Sequence, residues 1–455
     1  MGCFFFFSKE ILLDAKRTGA EFTMHLRHNP MGCFFFFFKR NFARRKRTGA
    51  EFTMHLRRTL WVAFSFFQKE ILLSAKEQEL NLQCISVTIV GFLMFFNDLF
   101  FFGIQLNMVN FNKFIINKKI LNHNIKTIKK YLNKNVKLCA CVKANAYGLG
   151  MNSVAEIIDS QVDAFAVSNI FEAINLRKIT KRDIYILGVV DKKDYDLCSQ
   201  NSFIVSIGSI DQLKAKNEHC VDVSLAINSG MNRYGFNDVN EFEKAIDTIN
   251  KTSKFRIKSL FSHFAYSKSK IQNEKQFIIF VNFKRKVHGD CIFHISASSA
   301  IMLKEYNEDM VRCGFALYAE TELGTKDVVS IFSKIVHINH CKKGEFVGYE
   351  GKYIAKKDMD IGVVSLGYAD GIDRRLSGFY VLVNGHKCNI VGNICMDCFM
   401  VDITDVDVKL FDEVVILGRQ AEEEITINHI ANYINASPYE FLSRLNYSRM
   451  DYIVK

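Results

Sequence analysis

The stretch Val136-Lys137-Leu138-Cys139-Ala140-Cys141-Val142-Lys143, continued by Ala144-Asn145-Ala146-Tyr147-Gly148-Leu149-Gly150, decides how the chain is organised. Its apolar run, bounded by charge, predicts a buried strand that ends in a lysine and is followed by a Gly-flanked turn. A lysine at the carboxyl end of a strand points into a crevice where its amine can form a Schiff base. Tyr147, among glycines, can reach a phosphate where the backbone approaches closely. A core strand ending in a solvated lysine fits the same spacing, so the rest of the chain must discriminate.

From residue 108 onwards, short apolar runs alternate with amphipathic stretches, which is the pattern of a parallel α/β architecture. Candidate strands are 136–143, 164–168, 183–190, 204–208, 222–228, 258–264, 291–296 and 310–318, and helical patterns such as 238–251 and 269–288 lie between most of them. Eight strands over about 210 residues predict an N-terminal (β/α)8 TIM barrel. After residue 333 the predicted helices stop, and Gly-containing turns predict a mostly β C-terminal domain. We therefore expect a repetitive Phe-rich extension at 1–107, a barrel at 108–333 and a β-rich domain at 334–455.

The first 80 residues contain an internal repeat of period thirty, in which Met1-Gly2-Cys3-Phe4 recurs as Met31-Gly32-Cys33-Phe34. We expect no packed domain there, and Met108 is a plausible natural start. The apolar segment 85–104 is long enough to cross a bilayer, but Asn97-Asp98 interrupts it and makes insertion costly. A dispensable extension is therefore favoured over a membrane anchor. The segment also lies too far from the N-terminus for a cleavable signal.

Composition excludes several other classes of protein. The net charge of +12 arises largely in residues 1–60, where twelve Lys and Arg face four Asp and Glu, so it does not indicate a nucleic-acid partner. Thirteen Cys without a framework of spacings predict reduced thiols and a cytoplasmic protein. Cys395-Met396-Asp397-Cys398 has no second pair at zinc-site spacing, so we expect no metal. Gly148-x-Gly150 lacks the third glycine of a dinucleotide loop.

Two further stretches carry groups that can bind an anion at the mouth of a barrel. The seventh predicted strand leads into Ser296-Ala297-Ser298-Ser299-Ala300, and the eighth contains Arg312-Cys313-Gly314-Phe315-Ala316-Leu317-Tyr318. Phosphate is commonly held after strands seven and eight of a TIM barrel. Ordinary helix N-capping explains the serines when they are taken alone. Their position opposite the lysine strand favours a phosphate site.

These stretches resemble the alanine racemase family over about residues 108–455. The words Val-Lys-Ala-Asn-Ala-Tyr-Gly are similar to the segment that carries its pyridoxal 5′-phosphate (PLP) lysine, here Lys143. Asn228-Ser229-Gly230-Met231-Asn232-Arg233 and Ser262-His263-Phe264-Ala265 match two further segments of the barrel. The resemblance implies that PLP is bound by Lys143, Tyr147, His263, Ser299, Arg312, Gly314 and Phe315, with Arg312 facing the pyridine nitrogen and His263 supporting it. It also implies that Arg233 binds the substrate carboxylate.

The second domain carries three matching words, Val347-Gly348-Tyr349-Glu350-Gly351, Leu366-Gly367-Tyr368-Ala369-Asp370-Gly371 and Gly392-Asn393-Ile394-Cys395-Met396-Asp397. By resemblance Tyr349 is a catalytic residue and Tyr368 and Met396 contact substrate. Tyr447 is similar to a further phosphate ligand. The chain departs from the family at Ala226, where some members carry a modified lysine that orients the substrate arginine. His294 lies one residue further from the serines than the common spacing.

The resemblance implies a PLP-dependent isomerase that interconverts L-alanine and D-alanine by two-base proton transfer and supplies D-alanine for peptidoglycan. Lys143 would act on one face of the substrate and Tyr349 on the other, in a head-to-tail homodimer whose active sites are shared. A racemase of serine or of a broader range of amino acids has the same words. A PLP-dependent decarboxylase would place an acid where Arg312 stands, and a non-catalytic PLP carrier would lack the domain that holds Tyr349.

Overall fold

The computed structural model describes residues 110–455 and the backbone of two strands nearer the N-terminus. These two strands, β1 (Glu21–His28) and β2 (Phe34–Asn41), pair with each other in antiparallel register. The predicted start at Met108 and the apolar segment 85–104 lie outside the described residues. Within the part of the chain that is described, no helix is both long and apolar enough to cross a membrane. Residues 110–455 form one compact unit.

A parallel eight-stranded barrel forms the first half of this unit and confirms the predicted architecture. Its strands are β4 (Lys137–Cys141), β5 (Ala164–Val167), β6 (Asp183–Ile186), β7 (Phe203–Ile207), β8 (Val221–Ala226), β9 (Phe255–Phe261), β10 (Ile292–His294) and β11 (Met310–Cys313). They lie side by side in chain order, and β11 returns to pair with β4. Because both faces of such strands are covered, each reads in sequence as a short, nearly continuous apolar run. Each of the eight predicted strands therefore overlaps an observed one.

The barrel closes between β10 and β11 through a single bridge instead of a continuous ladder. Ala297 and Arg312 form an isolated parallel bridge, and the Arg312 N–H donates to the Ser296 carbonyl at 3.1 Å. The closure therefore lies beside the two stretches that were predicted to bind an anion. It brings the residues after β10 against the end of β11.

Helices connect the barrel strands and bury one or more side chains each. They are Lys118–Lys129, Met151–Ile158, Ile170–Arg177, Tyr195–Gln200, Val239–Asn250, Lys270–Lys284 and Phe315–Tyr318. In Lys118–Lys129 the buried residues Leu121, Ile125 and Ile128 recur at helical spacing, and the Asn117 side chain caps the first turn. Asp238 caps Val239–Asn250 in the same way. These caps and stripes fix where each helix begins and which face it buries.

A second, nine-stranded sheet forms the rest of the unit. Its strands are β3 (Lys113–Ile116), β12 (Val329–Cys341), β15 (Met359–Val364), β16 (Tyr380–Val383), β17 (His386–Val391), β18 (Phe399–Asp402), β19 (Glu413–Gln420), β20 (Glu423–Ile425) and β21 (Asp451–Val454), and β13 (Phe346–Val347) pairs with β14 (Tyr353–Ile354) beside it. Although β3 precedes the barrel in sequence, it joins this sheet between β12 and β21. β12 crosses residue 333, where the sequence predicts the domain boundary. One hydrophobic core runs through the barrel and this sheet.

Three details of the predicted elements are wrong. Helices do not stop after residue 333, since Ile427–Tyr433 and Pro438–Arg444 follow, capped by Thr426 and Ser437. The eighth strand ends at Cys313, because the chain turns at Gly314 into the short helix Phe315–Tyr318. The first strand ends at Cys141, two residues before Lys143.

Candidate active site

A cavity of about 320 Å³ opens at the carboxyl ends of the barrel strands, where TIM-barrel active sites lie. It is lined by eight residues predicted for the site, namely Lys143, Tyr147, Arg233, His263, Ser299, Arg312, Gly314 and Phe315. It is also lined by Cys141, Ala144, Leu187, Tyr234, Phe261, Ala297, Ser298, Tyr439 and Ser443. The lining has no Asp or Glu, whereas it holds one lysine and two arginines. The cavity is therefore suited to an anionic ligand.

Lys143 enters the cavity from a left-handed turn. The four residues after it, Ala144 to Tyr147, have φ between 51° and 58°, a conformation that costs roughly 1–2 kcal/mol per non-glycine residue. Neighbouring groups hold the turn: the Ala144 N–H donates to Glu172 Oε1 at 2.7 Å, and Asn145 Oδ1 accepts from the Met151 N–H at 2.8 Å. As a result Lys143 is half-buried at the cavity, and the Tyr147 ring packs against Tyr318 with centroids 5.3 Å apart.

Arg312 lies at the closure of the barrel and is almost fully buried. Its guanidinium donates to the carbonyl oxygens of Ser262 at 2.6 Å and His294 at 3.1 Å, and to Nδ1 of both His263 and His294. Among residues 110–455 no carboxylate forms an ion pair with it. Burial lowers the pKa of Arg312, and the charge of Arg233 lowers it further. Nearby Cys and Tyr groups act in the opposite direction. The charge is thus held by neutral acceptors alone.

The two histidines beside Arg312 are neutral bases. Burial, followed by the charge of Arg312, lowers the pKa of His263 to about 3. The same two causes hold the pKa of His294 well below its usual range. A neutral imidazole can accept an N–H bond, so each ring can orient Arg312 without competing for its charge. Sequence spacing placed His294 outside the common pattern, yet the structure brings it to Arg312.

The serines after β10 face the turn after β11. Ser298 Oγ accepts from the Gly314 N–H at 2.9 Å and from the Ala316 N–H at 3.3 Å. By contrast, the Ser299 hydroxyl, the Tyr147 hydroxyl and the Phe315 N–H make no hydrogen bond within residues 110–455. A Cβ on Gly314 would lie 2.8 Å from Tyr147 Cζ and closer still to its hydroxyl, so any other residue there would displace the Tyr147 ring. Three unpaired donors therefore border the cavity where an anion can accept from them.

Arg233 lies on the loop that follows β8. The Asn228 side chain accepts from the Asn232 N–H at 2.8 Å, and the Phe236 N–H donates to the Ala226 carbonyl at 2.9 Å. Position 235 requires a glycine, because its φ is 122° and a Cβ there would lie 2.7 Å from the backbone of Asn228. The loop is thus clamped at its base, and it presents Arg233 to the cavity wall.

Four predicted site residues do not line the cavity. Tyr349, Tyr368 and Met396 lie in the second sheet's loops, with exposed fractions of 68%, 42% and 52%. They are linked through one segment: the Tyr368 N–H donates to the Cys395 carbonyl at 3.0 Å, and Asn393 Nδ2 donates to the Tyr349 carbonyl at 3.3 Å. A single chain thus carries two groups of predicted residues, one in the barrel and one on the exposed loops.

Tyr447 lies behind the left-handed turn, where its hydroxyl accepts from Asn145 Nδ2 at 2.9 Å, and it does not line the cavity. Its place in the lining is taken by Tyr439 and Ser443 of the helix Pro438–Arg444, which the sequence analysis missed. Tyr439 stacks on Phe315 with ring centroids 4.4 Å apart. No spacing in the sequence singles it out. In the described part of the chain, no group of three or more His, Cys, Asp or Glu side chains can hold a metal ion.

Comparisons with known proteins agree with this geometry. The sequence matches the family description "Alanine racemase, N-terminal domain" over residues 116–322 and "Alanine racemase, C-terminal domain" over residues 328–453. Alanine racemase 1 of Caldanaerobacter subterraneus subsp. tengcongensis is 31% identical over 350 residues, which cover 72% of this chain and 90% of that protein.

Solved structures of alanine racemases have the same fold. The alanine racemase of Clostridium difficile 630 is similar with a TM-score of 0.72 and 31% identity, covering 77% of this chain and 97% of that one. The structure of alanine racemase from Bartonella henselae with covalently bound pyridoxal phosphate has a TM-score of 0.69 and 27% identity, covering 76% of this chain and all of that one (100%).

Proposed function

Because the chain belongs to the alanine racemase family, we propose that it is a PLP-dependent racemase that interconverts L-alanine and D-alanine. The observation that carries the proposal is the pairing of Lys143 with a buried arginine, Arg312, in one cavity free of carboxylates. The arginine disfavours protonation of a pyridine nitrogen beside it, which limits delocalisation into the ring. An arginine at this position therefore favours return of a proton to the substrate α-carbon and disfavours decarboxylation and transamination.

The residues around the cavity fit PLP. Its volume of about 320 Å³ is within the range of small-ligand sites. The unpaired donors at Tyr147, Ser299 and Phe315 can supply three hydrogen bonds to a phosphate. Because Gly314 has no side chain, the Tyr147 ring can pack against its backbone. Lys143 would hold the cofactor covalently, and Arg312 would face its ring nitrogen. When bound, PLP withdraws electrons from the substrate α-carbon and makes its proton removable.

The chain's own residues would move the proton. Lys143 Nζ would act at one face of the α-carbon and the Tyr349 hydroxyl at the other, while Arg233 binds the carboxylate and fixes the substrate between them. Tyr368 and Met396 would contact the substrate from the side of Tyr349. The exposure of these three residues in a single chain supports a homodimer in which each chain's Tyr349 serves its partner's Lys143.

The cellular role follows from the same reaction. We infer that the product D-alanine is used for peptidoglycan and that the enzyme is cytoplasmic. The support for a reducing compartment is chemical, since the ten Cys described between residues 110 and 455 are all free thiols.

The proposal is tested by incubating the purified protein and PLP with single enantiomers of alanine, serine and a panel of other amino acids. Chromatography that resolves enantiomers should show alanine racemised fastest, with no release of carbon dioxide. Reduction with borohydride should fix the cofactor on Lys143, as peptide mapping would reveal. Faster racemisation of serine would change the substrate, and decarboxylation or an adduct on another lysine would refute the assignment.

A further inference from the structure

Arg233 is a charged side chain whose direction must be set by something other than an ion pair. Among residues 110–455 no carboxylate lies within ion-pair distance of its guanidinium, and no hydrogen bond from its side chain is formed. It is exposed in the single chain. Its charge also lies near that of Arg312, and like charges push a flexible side chain away from the cavity. Without a positioning group, Arg233 would sample many rotamers.

The position from which a modified lysine would orient this arginine is occupied here by an alanine. Ala226 ends β8 and is buried at 1% exposure. Between it and the Arg233 loop lies a small cavity of about 20 Å³, lined mostly by uncharged residues such as Ile227, Met231 and Phe261. This space holds about one water molecule and no further side chain. No acidic group can therefore act on Arg233 from this side.

Tyr234 is the side chain that does contact Arg233. The Arg233 Cζ lies 5.1 Å from the centroid of the Tyr234 ring, within the range of a cation–π interaction. The ring is itself fixed, because the Tyr234 hydroxyl donates to the carbonyl oxygen of Leu187 after β6. Leu187 is in turn held by its own N–H, which donates to the Val167 carbonyl at 2.9 Å. Tyr234 is thus tied to the barrel at its far end and offers its face to the guanidinium.

We propose that Tyr234 is the positioning residue for Arg233, and that its tethered ring aims the guanidinium at the substrate carboxylate in place of an acidic group beneath it. This inference rests on the proposed function of Arg233. An aromatic face orients a cation without neutralising it, so the full charge of Arg233 remains available to the carboxylate. An acidic partner would compete with the substrate for that charge.

The test compares full-length variants in the presence of PLP. Tyr234→Leu removes the ring, and Tyr234→Phe keeps the ring while removing its tether. The control Tyr433→Phe also removes a hydroxyl that donates to a backbone carbonyl, that of Ser377 at 3.1 Å, but it lies far along the chain outside the cavity lining. For each we would measure kcat and KM for both alanine enantiomers. We would also measure inhibition by propionate, which has the carboxylate but no amine, and by alaninol, which has the amine but no carboxylate.

We expect Tyr234→Leu to raise KM for alanine and the inhibition constant of propionate by about two- to fivefold, the range of one exposed cation–π contact. The inhibition constant of alaninol and kcat should stay within about twofold, since only carboxylate binding is affected. Tyr234→Phe should lie between Tyr234→Leu and the parent, and Tyr433→Phe should match the parent. If Tyr234→Leu does not fold, Tyr234→Met makes the same comparison.

Two outcomes separate this inference from the proposed function. If Arg233→Ala leaves propionate inhibition unchanged, Arg233 does not bind the carboxylate and the assigned role of Arg233 is wrong. If Arg233→Ala weakens propionate but Tyr234→Leu does not, the positioning role of Tyr234 is overturned while that of Arg233 stands. An equal loss of propionate and alaninol binding in Tyr234→Leu would also overturn it, because it would indicate general damage to the cavity.

Discussion

Substituting Gly314 should weaken cofactor binding through a single displaced side chain. In Gly314→Ala the new Cβ would lie 2.8 Å from Tyr147 Cζ, whereas Cβ atoms essentially never approach other heavy atoms within 3.0 Å, and it overlaps the hydroxyl oxygen further. The Tyr147 ring must therefore withdraw. A hydrogen bond formed at about 2.7 Å is lost once its atoms lie more than about 3.5 Å apart, so a shift of about 0.8 Å removes it.

The magnitude follows from the bond that is lost. A hydrogen bond to a charged group contributes about 1.5–3 kcal/mol, so the dissociation constant of PLP should rise roughly 10- to 150-fold. Tyr147→Phe removes the same hydroxyl and should weaken PLP by a similar factor. Because both changes remove the same hydrogen bond, the double variant should bind PLP about as tightly as the single variant with the lower affinity. Equilibrium dialysis with PLP measures all three.

Gly289→Ala is the matched control, because a Cβ at Gly289 meets nothing within 4 Å although its φ is 90°. It should lower stability without changing PLP affinity. Two results would refute the reasoning. The first is a Gly314→Ala protein that binds PLP like the parent. The second is a double variant in which the two losses multiply, since that would mean Gly314 and Tyr147 act on the cofactor independently.

Three further predictions concern the bases, the histidines and the N-terminal segment. Tyr349→Phe should still exchange the α-proton of D-alanine in D₂O while racemising about 10²–10⁴-fold more slowly; equal loss of exchange from both enantiomers would contradict the two-base assignment. Because the pKa of His263 falls from 6.5 to about 3 on folding, the unfolded chain binds the extra proton between these values. His263 should therefore make the protein less stable as pH falls from about 6 to 5, by up to about 1.4 kcal/mol per pH unit. In urea unfolding, His263→Asn should lack this part of the slope, and an unchanged slope would show that the ring is not buried neutral. A chain beginning at Met108 should fold and be fully active, whereas failure to fold would mean that the preceding residues support the barrel.

The barrel was predictable because its strands are buried on both faces and bounded by charged or turn residues. Each of the eight strands appears in the sequence as an apolar run, and the helix Val239–Asn250 begins at the Asp238 that caps it. The helices Ile427–Tyr433 and Pro438–Arg444 were missed because seven residues span about two turns. Such segments contain too few positions for a helical period to be recognised.

The conformation of the turn after Lys143 was not predictable from local sequence. Ala144 and Ala146 have no intrinsic preference for positive φ, and no local rule assigns it to them. The conformation is imposed by distant partners: Glu172 accepts from the Ala144 N–H, and the Leu442 backbone leaves no room for a Cβ at Gly148. Because these partners lie 28 or more residues away in sequence, the residues of the turn alone do not predict its conformation.

His294 shows how a spacing rule can mislead while the contact survives. One additional residue separates it from the serines, but the chain after β10 uses Ser296 and Ala297 to bridge Arg312 at the closure. The extra residue is accommodated in that irregular segment, so both the histidine and Ser299 remain at the site. Tyr349 presents the opposite case, because its sequence match is clear but a single chain leaves it exposed. This exposure fits the proposed homodimer, in which a second subunit would complete the site.

The electrostatics of the cavity favour binding of both proposed ligands, the cofactor and the substrate. Lys143, Arg233 and Arg312 line it without any carboxylate, and the two histidines beside Arg312 stay neutral, so three cationic side chains face one cavity. A cofactor phosphate carries close to two negative charges and an amino-acid carboxylate carries one. Each of these anions would therefore meet cationic side chains in the cavity. The same cations repel one another in the free protein, and binding of either proposed anion would relieve that repulsion. An amine without a carboxylate would leave the charge of Arg233 unmatched.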